Sequence, residues 1–174
     1  MIYLTHEECR DLCTGRAWQL TGEGLPDCPP SGFDVISFMV PPERERLTDF
    51  SRGFASIVPF GVADDCLLWV MNWRDWGSSA NYHLYYRLRQ SYSDFRLIHQ
   101  APGHLFLGHE EHDLISFVEL AFLFGWDFHL LPFPRDIGAW HDDELVTLYS
   151  KDSGFLDTAR AVLARYGVAW EEGR

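Results

Sequence analysis

The alternation of apolar and polar positions along the chain predicts a sheet whose central strand is covered on both faces. The stretch CLLWVMNW, Cys66–Trp73, is apolar at almost every position, which is typical of a strand buried on both sides. Shorter apolar runs between turn-forming residues predict further strands. These strands are FDVISFMV (residues 33–40), Asp127–Leu131, Ile137–Trp140 and Leu145–Tyr149.

Five segments have the apolar spacing of three to four residues that is typical of helices packed on one face. In the first, Thr5 and Glu8 have the spacing of a capping box, and Gly15 is suited to end the helix. In the third, Leu84, Leu88 and Tyr92 recur at intervals of four with Tyr85 beside them, and these residues are expected to face the core. The predicted helices are Thr5–Thr14, Pro42–Arg52, Ser79–Tyr92, His109–Phe124 and Ser153–Tyr166.

Weaker patterns predict four short strands. Two of them are Ala17–Thr21 and FASIVPF, residues 54–60. The other two are FRLIH (residues 95–99) and HLFLG (residues 104–108), for which Gln100–Gly103 is suited to a hairpin turn.

The order of these elements, with paired strands between helices, predicts a single α+β domain over residues 1–174. We expect a central mixed, mainly antiparallel sheet with four or five helices packed on it. The middle of the chain, strand–helix–strand–strand–helix–strand, is also compatible with a parallel crossover.

The charge balance changes the range of partners that this domain is expected to bind. The chain has 26 acidic and 14 basic residues, a net charge of −12 at neutral pH, and residues 106–174 are the most acidic part. Such a surface repels polyanions, which argues against nucleic acid and anionic membranes as partners. A basic protein is the partner that this charge favours.

Compartment and redox state follow from the first residues and the cysteines. The start, MIYLTHEECRD, has neither the basic nor the apolar region of a secretory signal, so we expect a cytoplasmic protein. The four cysteines show no CxxC spacing, and buried reduced thiols are the favoured interpretation.

Four of the eight histidines lie within the fifteen residues HQAPGHLFLGHEEHD. A zinc or other divalent metal site would need three or four such side chains to converge. The template HExxH places histidines four apart, whereas HEEH places them three apart, so that template fails. The alternatives are solvated strand ends and a helix start, or a metal site formed by His99, His104, His109, His112 and Glu119.

Other catalytic patterns are weak or missing. The run WGSSANY lacks the second glycine of a nucleophile elbow. A cysteine nucleophile would need Cys28 or Cys66 beside a histidine and partly exposed, and the sequence pairs neither with a base. The consecutive acids Asp142–Glu144 are typical of a solvated turn, and no glycine-rich phosphate loop is present.

The segment NWRDWGSSANYHLYYRLRQSY, residues 72–92, is dense in the residue types that anchor protein interfaces. One interpretation is an aromatic core whose arginines pair with acids such as Asp75 and Asp94. The other is a binding surface formed by Trp73, Arg74, Trp76, Tyr82, Tyr86 and Arg89.

Together these patterns favour a small acidic cytoplasmic binding protein without catalysis of its own. An immunity-type inhibitor of a basic toxin is its concrete form, by analogy of size and charge. The first alternative is an enzyme that uses the histidine cluster to bind a metal or a small ligand. The second is a structural homodimer joined through the aromatic segment.

Overall fold

A computed structural model describes residues 1–57, 65–74, 82–133 and 136–173 of the chain. Within these ranges it contains five α-helices and eight β-strands. The helices are α1 (His6–Gly15), α2 (Arg44–Ile57), α3 (Tyr82–Ser91), α4 (Glu111–Leu123) and α5 (Ser153–Arg165). The strands are β1 (Ile2–Leu4), β2 (Asp34–Met39), β3 (Asp65–Asn72), β4 (Gly103–Phe106), β5 (Asp127–Phe133), β6 (Ile137–Asp142), β7 (Leu145–Ser150) and β8 (Trp170–Gly173).

All eight strands belong to one sheet in the order β1-β4-β3-β5-β6-β7-β2-β8. Every neighbouring pair of described strands is antiparallel, so the predicted α+β class is confirmed and the parallel crossover is not found. The predicted central strand, β3, does lie inside the sheet, between β4 and β5.

The two faces of the sheet are covered by different parts of the chain. On one face, called here the helix face, α2, α3, α4 and α5 bury the larger apolar cluster. On the opposite face, called the front face, α1 and the segment 16–33 cover Leu67 and Trp69 of β3 with a smaller cluster. Because adjacent strand residues point to opposite faces, Leu68 and Val70 join the helix-face core instead.

Helix α1 shows how local sequence determines an element and its packing. The Thr5 hydroxyl accepts a hydrogen bond from the Glu8 N–H, and the Glu8 carboxylate accepts one from the Thr5 N–H, so the predicted capping box is confirmed. Cys9 and Cys13, one helical turn apart, are both fully buried on the front face. Gly15 remains helical, and the positive φ occurs at Ala17 instead.

Several weak predictions were wrong. Residues 17–21 form no strand beyond one isolated bridge, between Leu20 and Pro26. The segment FASIVPF continues α2 as far as Ile57, and residues 58–60 lie outside the described residues. The stretch FRLIH ends in a 3-10 turn, Ile98–Gln100, so the predicted hairpin with β4 is not formed. On α3, Tyr85 is buried and Leu88 packs against the core as predicted, but Leu84 is 64% exposed and Arg89 is buried.

Among the described residues, no helix is both long and apolar enough to cross a membrane.

Candidate functional site

The structure does not bring the predicted metal ligands together. His104 is fully buried on β4, whereas His99, His109 and His112 are exposed in separate segments. Glu119 accepts a hydrogen bond from the hydroxyl of Thr48, which lies on α2. Within the described ranges of the chain, no group of three or more His, Cys, Asp or Glu side chains is arranged to hold a metal ion.

His104 instead belongs to a buried polar network beneath α3. Its Nε2 forms a hydrogen bond with the Tyr85 hydroxyl, and its Nδ1 lies 3.2 Å from the carbonyl oxygen of Leu68. Burial lowers the pKa of His104 to about 3, so the imidazole is neutral at pH 7. The spacing of histidines in the sequence did not reveal that this one faces the core.

The aromatic segment also contributes mainly to packing. Trp73 contacts Trp126 at a centroid distance of 4.6 Å, and Tyr82 stacks on Tyr86 at 6.0 Å. The Tyr86 hydroxyl donates a hydrogen bond to the carbonyl oxygen of Phe95. Trp76 lies outside the described residues. Trp73 and Tyr82 thus pack against the helix-face core, whereas Tyr86 is half-buried and belongs to neither apolar cluster.

Arg89 does not reach the predicted binding surface, since its side chain is fully buried. Its Nε and Nη2 both donate to Oδ2 of Asp94, and its guanidinium lies 4.5 Å from the ring centroid of Tyr3. Arg89 can be buried because the carboxylate of Asp94 compensates its positive charge. This is the pairing with Asp94 that the core interpretation of the aromatic segment expected. The corresponding pairing of Asp75 lies outside the described residues.

Arg74 is partly exposed but already bound to acids. Its Nε and Nη2 donate to the same oxygen, Oδ1 of Asp127, at 3.1 and 2.7 Å. Its Nη2 also lies 3.3 Å from Asp142 and 3.6 Å from Asp143. Arg74 therefore binds an acidic cluster at the start of β5 and the end of β6 and is not a free cation.

The more open surface is the part of the front face formed by β6, β7, β2 and β8. Met39 and Leu145 are paired across β2 and β7 and are 52% and 41% exposed. In the next row, the half-buried Trp140 and Ser37 lie on either side of Thr147, which is 7% exposed, and the row leads to the exposed Glu171 on β8. We call these six residues the open face: Ser37, Met39, Trp140, Leu145, Thr147 and Glu171.

Acidic side chains border this open face. Asp142 is paired with Leu145 across β6 and β7, and Asp143 and Glu144 form the turn between those strands. Glu171 and Glu144 make no ion pair with any described residue. Exposed apolar side chains next to acidic ones form a surface suited to a partner that is both apolar and basic.

Beside the open face, the segment 21–28 lies across the ends of β5 and β6 and leaves a groove of about 560 Å³. At its base, Sγ of Cys28 lies 3.2 Å from Nδ1 of His129 and 2.9 Å from the hydroxyl oxygen of Tyr149. This is the cysteine–histidine pair that the sequence did not reveal, because its members are 101 residues apart. No disulfide is formed, and all four cysteines are free.

The electrostatics of this pair favour neutral groups. Burial raises the pKa of the Cys28 thiol to about 12 and lowers the pKa of His129 to about 4. Near pH 7 the pair is therefore a neutral thiol beside a neutral imidazole, which differs from an activated thiolate nucleophile.

We expect Cys28 to react slowly with iodoacetamide at pH 8. Raising its pKa from 9.0 to about 12 lowers the thiolate fraction about a thousandfold, and the greater nucleophilicity of the remaining thiolate recovers part of this. Peptide-resolved mass spectrometry should show alkylation roughly 30- to 100-fold slower than in protein unfolded by urea. Rapid labelling in the folded state would instead show a thiolate held by His129.

The fold and the site define the class as an α+β protein whose front face is only partly covered and has acidic side chains beside its open part. Comparisons with protein-family models, with curated proteins and with solved structures found no match to this chain.

Proposed function

We propose that this protein binds a basic protein partner through the open face and performs no catalysis of its own. The observation that carries this proposal is the pairing of Met39 and Leu145, two large apolar side chains exposed side by side on a sheet bordered by acids. Isolated exposed apolar residues are ordinary, whereas adjacent ones within a charged border are typical of interfaces.

Affinity and association rate would come from different parts of this surface. Burying Met39, Leu145 and the accessible part of Trp140 would supply most of the affinity. The net charge of −12 and the acidic border would accelerate the encounter with a basic protein and make it sensitive to salt.

The concrete form that we favour is a cytoplasmic inhibitor of the immunity type that covers a functional surface of a cationic toxin. Its support is the chain's size, its negative charge and the acid-bordered face. In this hypothesis the protein acts by occupying a surface of its partner, so it needs no reactive group.

The decisive experiment compares two leucines of similar exposure. Leu145→Arg places a cation in the open face, whereas Leu97→Arg makes the same change at a leucine that is 45% exposed elsewhere. We expect a basic partner captured by the wild-type chain to bind Leu145→Arg roughly 100-fold more weakly. The Leu97→Arg variant should keep its affinity.

Salt and mass measurements complete this test. The association rate with that partner should fall steeply between 50 and 500 mM salt, values chosen to span about threefold in Debye length. Equal binding by both arginine variants, or a salt-independent association rate, would count against the proposal. Light scattering that shows a dimer disrupted by Leu145→Arg would identify a second copy of this chain as the occupant instead.

A further inference from the structure

The groove beside the open face contains polar atoms that lack partners. Asp127 and His129 are two residues apart on β5, so both point to the front face, and they are 8% and 5% exposed. Oδ2 of Asp127 and Nε2 of His129 make no hydrogen bond with any described residue. Neither atom is fully enclosed, and both side chains line the groove.

Two polar atoms without protein partners open onto the same groove and can therefore contact a ligand there. Because neither atom is fully enclosed, a group that enters the groove can reach both of them. Here each side chain is fixed by its other atom. Oδ1 of Asp127 is held by Arg74, and Nδ1 of His129 by Cys28. The free atoms are therefore preorganised to face whatever enters the groove.

The charge in the groove selects a cation. Four carboxylates line the groove, those of Glu23, Asp27, Asp127 and Asp142. Arg74 pairs with Asp127 and Asp142, whereas Glu23 and Asp27 make no ion pair with any described residue. The Arg10 side chain packs against Gly24 in the same segment, so acids still outnumber the guanidinium groups beside the groove. His129 adds no positive charge near pH 7, since burial lowers its pKa. An anionic ligand would meet a strongly repulsive field.

The shape and aromatic content of the groove favour a planar cation. Trp140 stacks on His129 with an interplanar angle of 14°, and its half-buried ring contributes to the groove wall. A guanidinium is planar, stacks on aromatic faces and presents several donors to carboxylates, whereas an ammonium group acts as a point charge. The groove volume of about 560 Å³ is large enough for one such side chain.

We propose that the groove receives an arginine side chain of the basic partner, whose guanidinium donates to Oδ2 of Asp127 and lies against Trp140. This inference rests on the proposed function, because it assigns one contact of that partner. It adds a specific pocket to a surface that is otherwise apolar and charged.

The test uses N-acetyl-arginine amide as a probe in an NMR titration of the full chain, so it needs no identified partner. We expect a dissociation constant on the order of 1 mM, with shifts at the Trp140 indole N–H and the His129 ring. N-acetyl-citrulline amide has nearly the same shape without the charge and should bind at least about tenfold more weakly. N-acetyl-lysine amide should also bind more weakly than the arginine probe.

Substitutions in the groove test whether the arginine probe binds there. Asp127→Asn keeps an oxygen that can accept from Arg74 but replaces the free acceptor with a donor, so arginine binding should weaken at least about tenfold. The matched control, Asp157→Asn, alters an exposed acid on α5 and should have no effect. Trp140→Leu removes the aromatic face without introducing a polar group, and it should weaken binding even if the fold of Asp127→Asn is perturbed.

The outcomes separate this inference from the proposed function. Equal binding of the arginine and citrulline probes, tighter binding of the lysine probe, or undiminished binding to Asp127→Asn would overturn the arginine pocket. Loss of partner binding in Leu145→Arg would still support the open face in that case. An arginine-selective groove combined with equal partner binding by Leu145→Arg and Leu97→Arg would overturn the proposed function while retaining the pocket.

Discussion

Asp94→Ala is expected to lower the free energy of unfolding by about 3–5 kcal/mol, because it leaves the buried guanidinium of Arg89 without a counter-charge. Arg89 is fully buried and donates twice to Asp94. An arginine cannot escape this cost by losing its proton. Urea unfolding of the variant and the wild type measures the difference.

The converse substitution, Arg89→Met, is expected to cost less than Asp94→Ala. Asp94 would keep Arg96, whose Nε lies 2.8 Å from Oδ1 and whose N–H donates to the same oxygen. The double variant should therefore recover part of the loss caused by Asp94→Ala, since it removes the isolated cation as well.

Asp157→Ala provides the matched control for this pair. Asp157 also binds an arginine, Arg160, but both side chains reach solvent, where ion pairs contribute little. Its effect should be a small fraction of that of Asp94→Ala. If Asp94→Ala were as mild as this control, the Arg89 side chain would have to leave the interior, and the buried network would not be a stabilising feature.

The elements that could be predicted are those determined by their own sequence. Strand β3 is recognisable because both of its faces are apolar, and α1 because Thr5 and Glu8 cap it locally. Strands β1 and β8 were not predicted. They have three and four residues, and each becomes a strand by pairing with a distant partner, as Ile2 does with Leu105.

Helix α3 shows why periodicity alone failed to orient an element. The pattern indicated an inner face of Leu84, Leu88 and Tyr92 with Tyr85 beside it, yet the helix is rotated so that Leu84 is exposed and Arg89 is buried together with Tyr85. The buried arginine is stabilised by Asp94 and by the Tyr3 ring. Sequence spacing does not encode such compensation between separate segments, so the hydrophobic pattern placed Leu84 rather than Arg89 on the buried side.

The open face depends on how much of the front face is covered by α1 and the segment 16–33. This coverage is set by contacts between distant parts of the chain, so it is harder to predict than the orientation of one helix. Trp140, Leu145 and Thr147 lie on strands that were predicted. Along these strands they alternate with the residues that are buried in the helix-face core. What the sequence did not reveal is that α1 and the segment 16–33 cover the front face over β3 and β5 and leave Met39 exposed.

Acidification from pH 7.5 to 4.5 is expected to destabilise the protein through its buried histidines. Burial lowers the pKa of His104 to about 3 and of His129 to about 4, whereas both titrate near 6.5 when unfolded. The unfolded chain therefore binds more protons in this range. Stability is fully present above pH 6.5 and is lost as the pH falls toward the folded pKa values.

Each of these two histidines is expected to contribute a loss of about 2–3 kcal/mol over that range. His141, whose pKa is also lowered by burial, adds to the loss in the same direction. Carboxylates that are hydrogen-bonded in the folded state, such as Glu8 and Asp94, have lowered pKa values and lose their contribution mainly below pH 4.5. The change in the free energy of unfolding between pH 7.5 and 4.5 therefore comes mainly from the buried histidines.

Urea unfolding at half-unit steps of pH measures the slope of stability against pH, which counts the protons taken up on unfolding. His129→Asn should reduce that slope by about 1.4 kcal/mol per pH unit near pH 5, since one titrating group is removed. His112→Gln, at an exposed position on α4, should leave the slope unchanged.

A free energy of unfolding that stays constant between pH 7.5 and 4.5 would contradict the burial of His104 and His129.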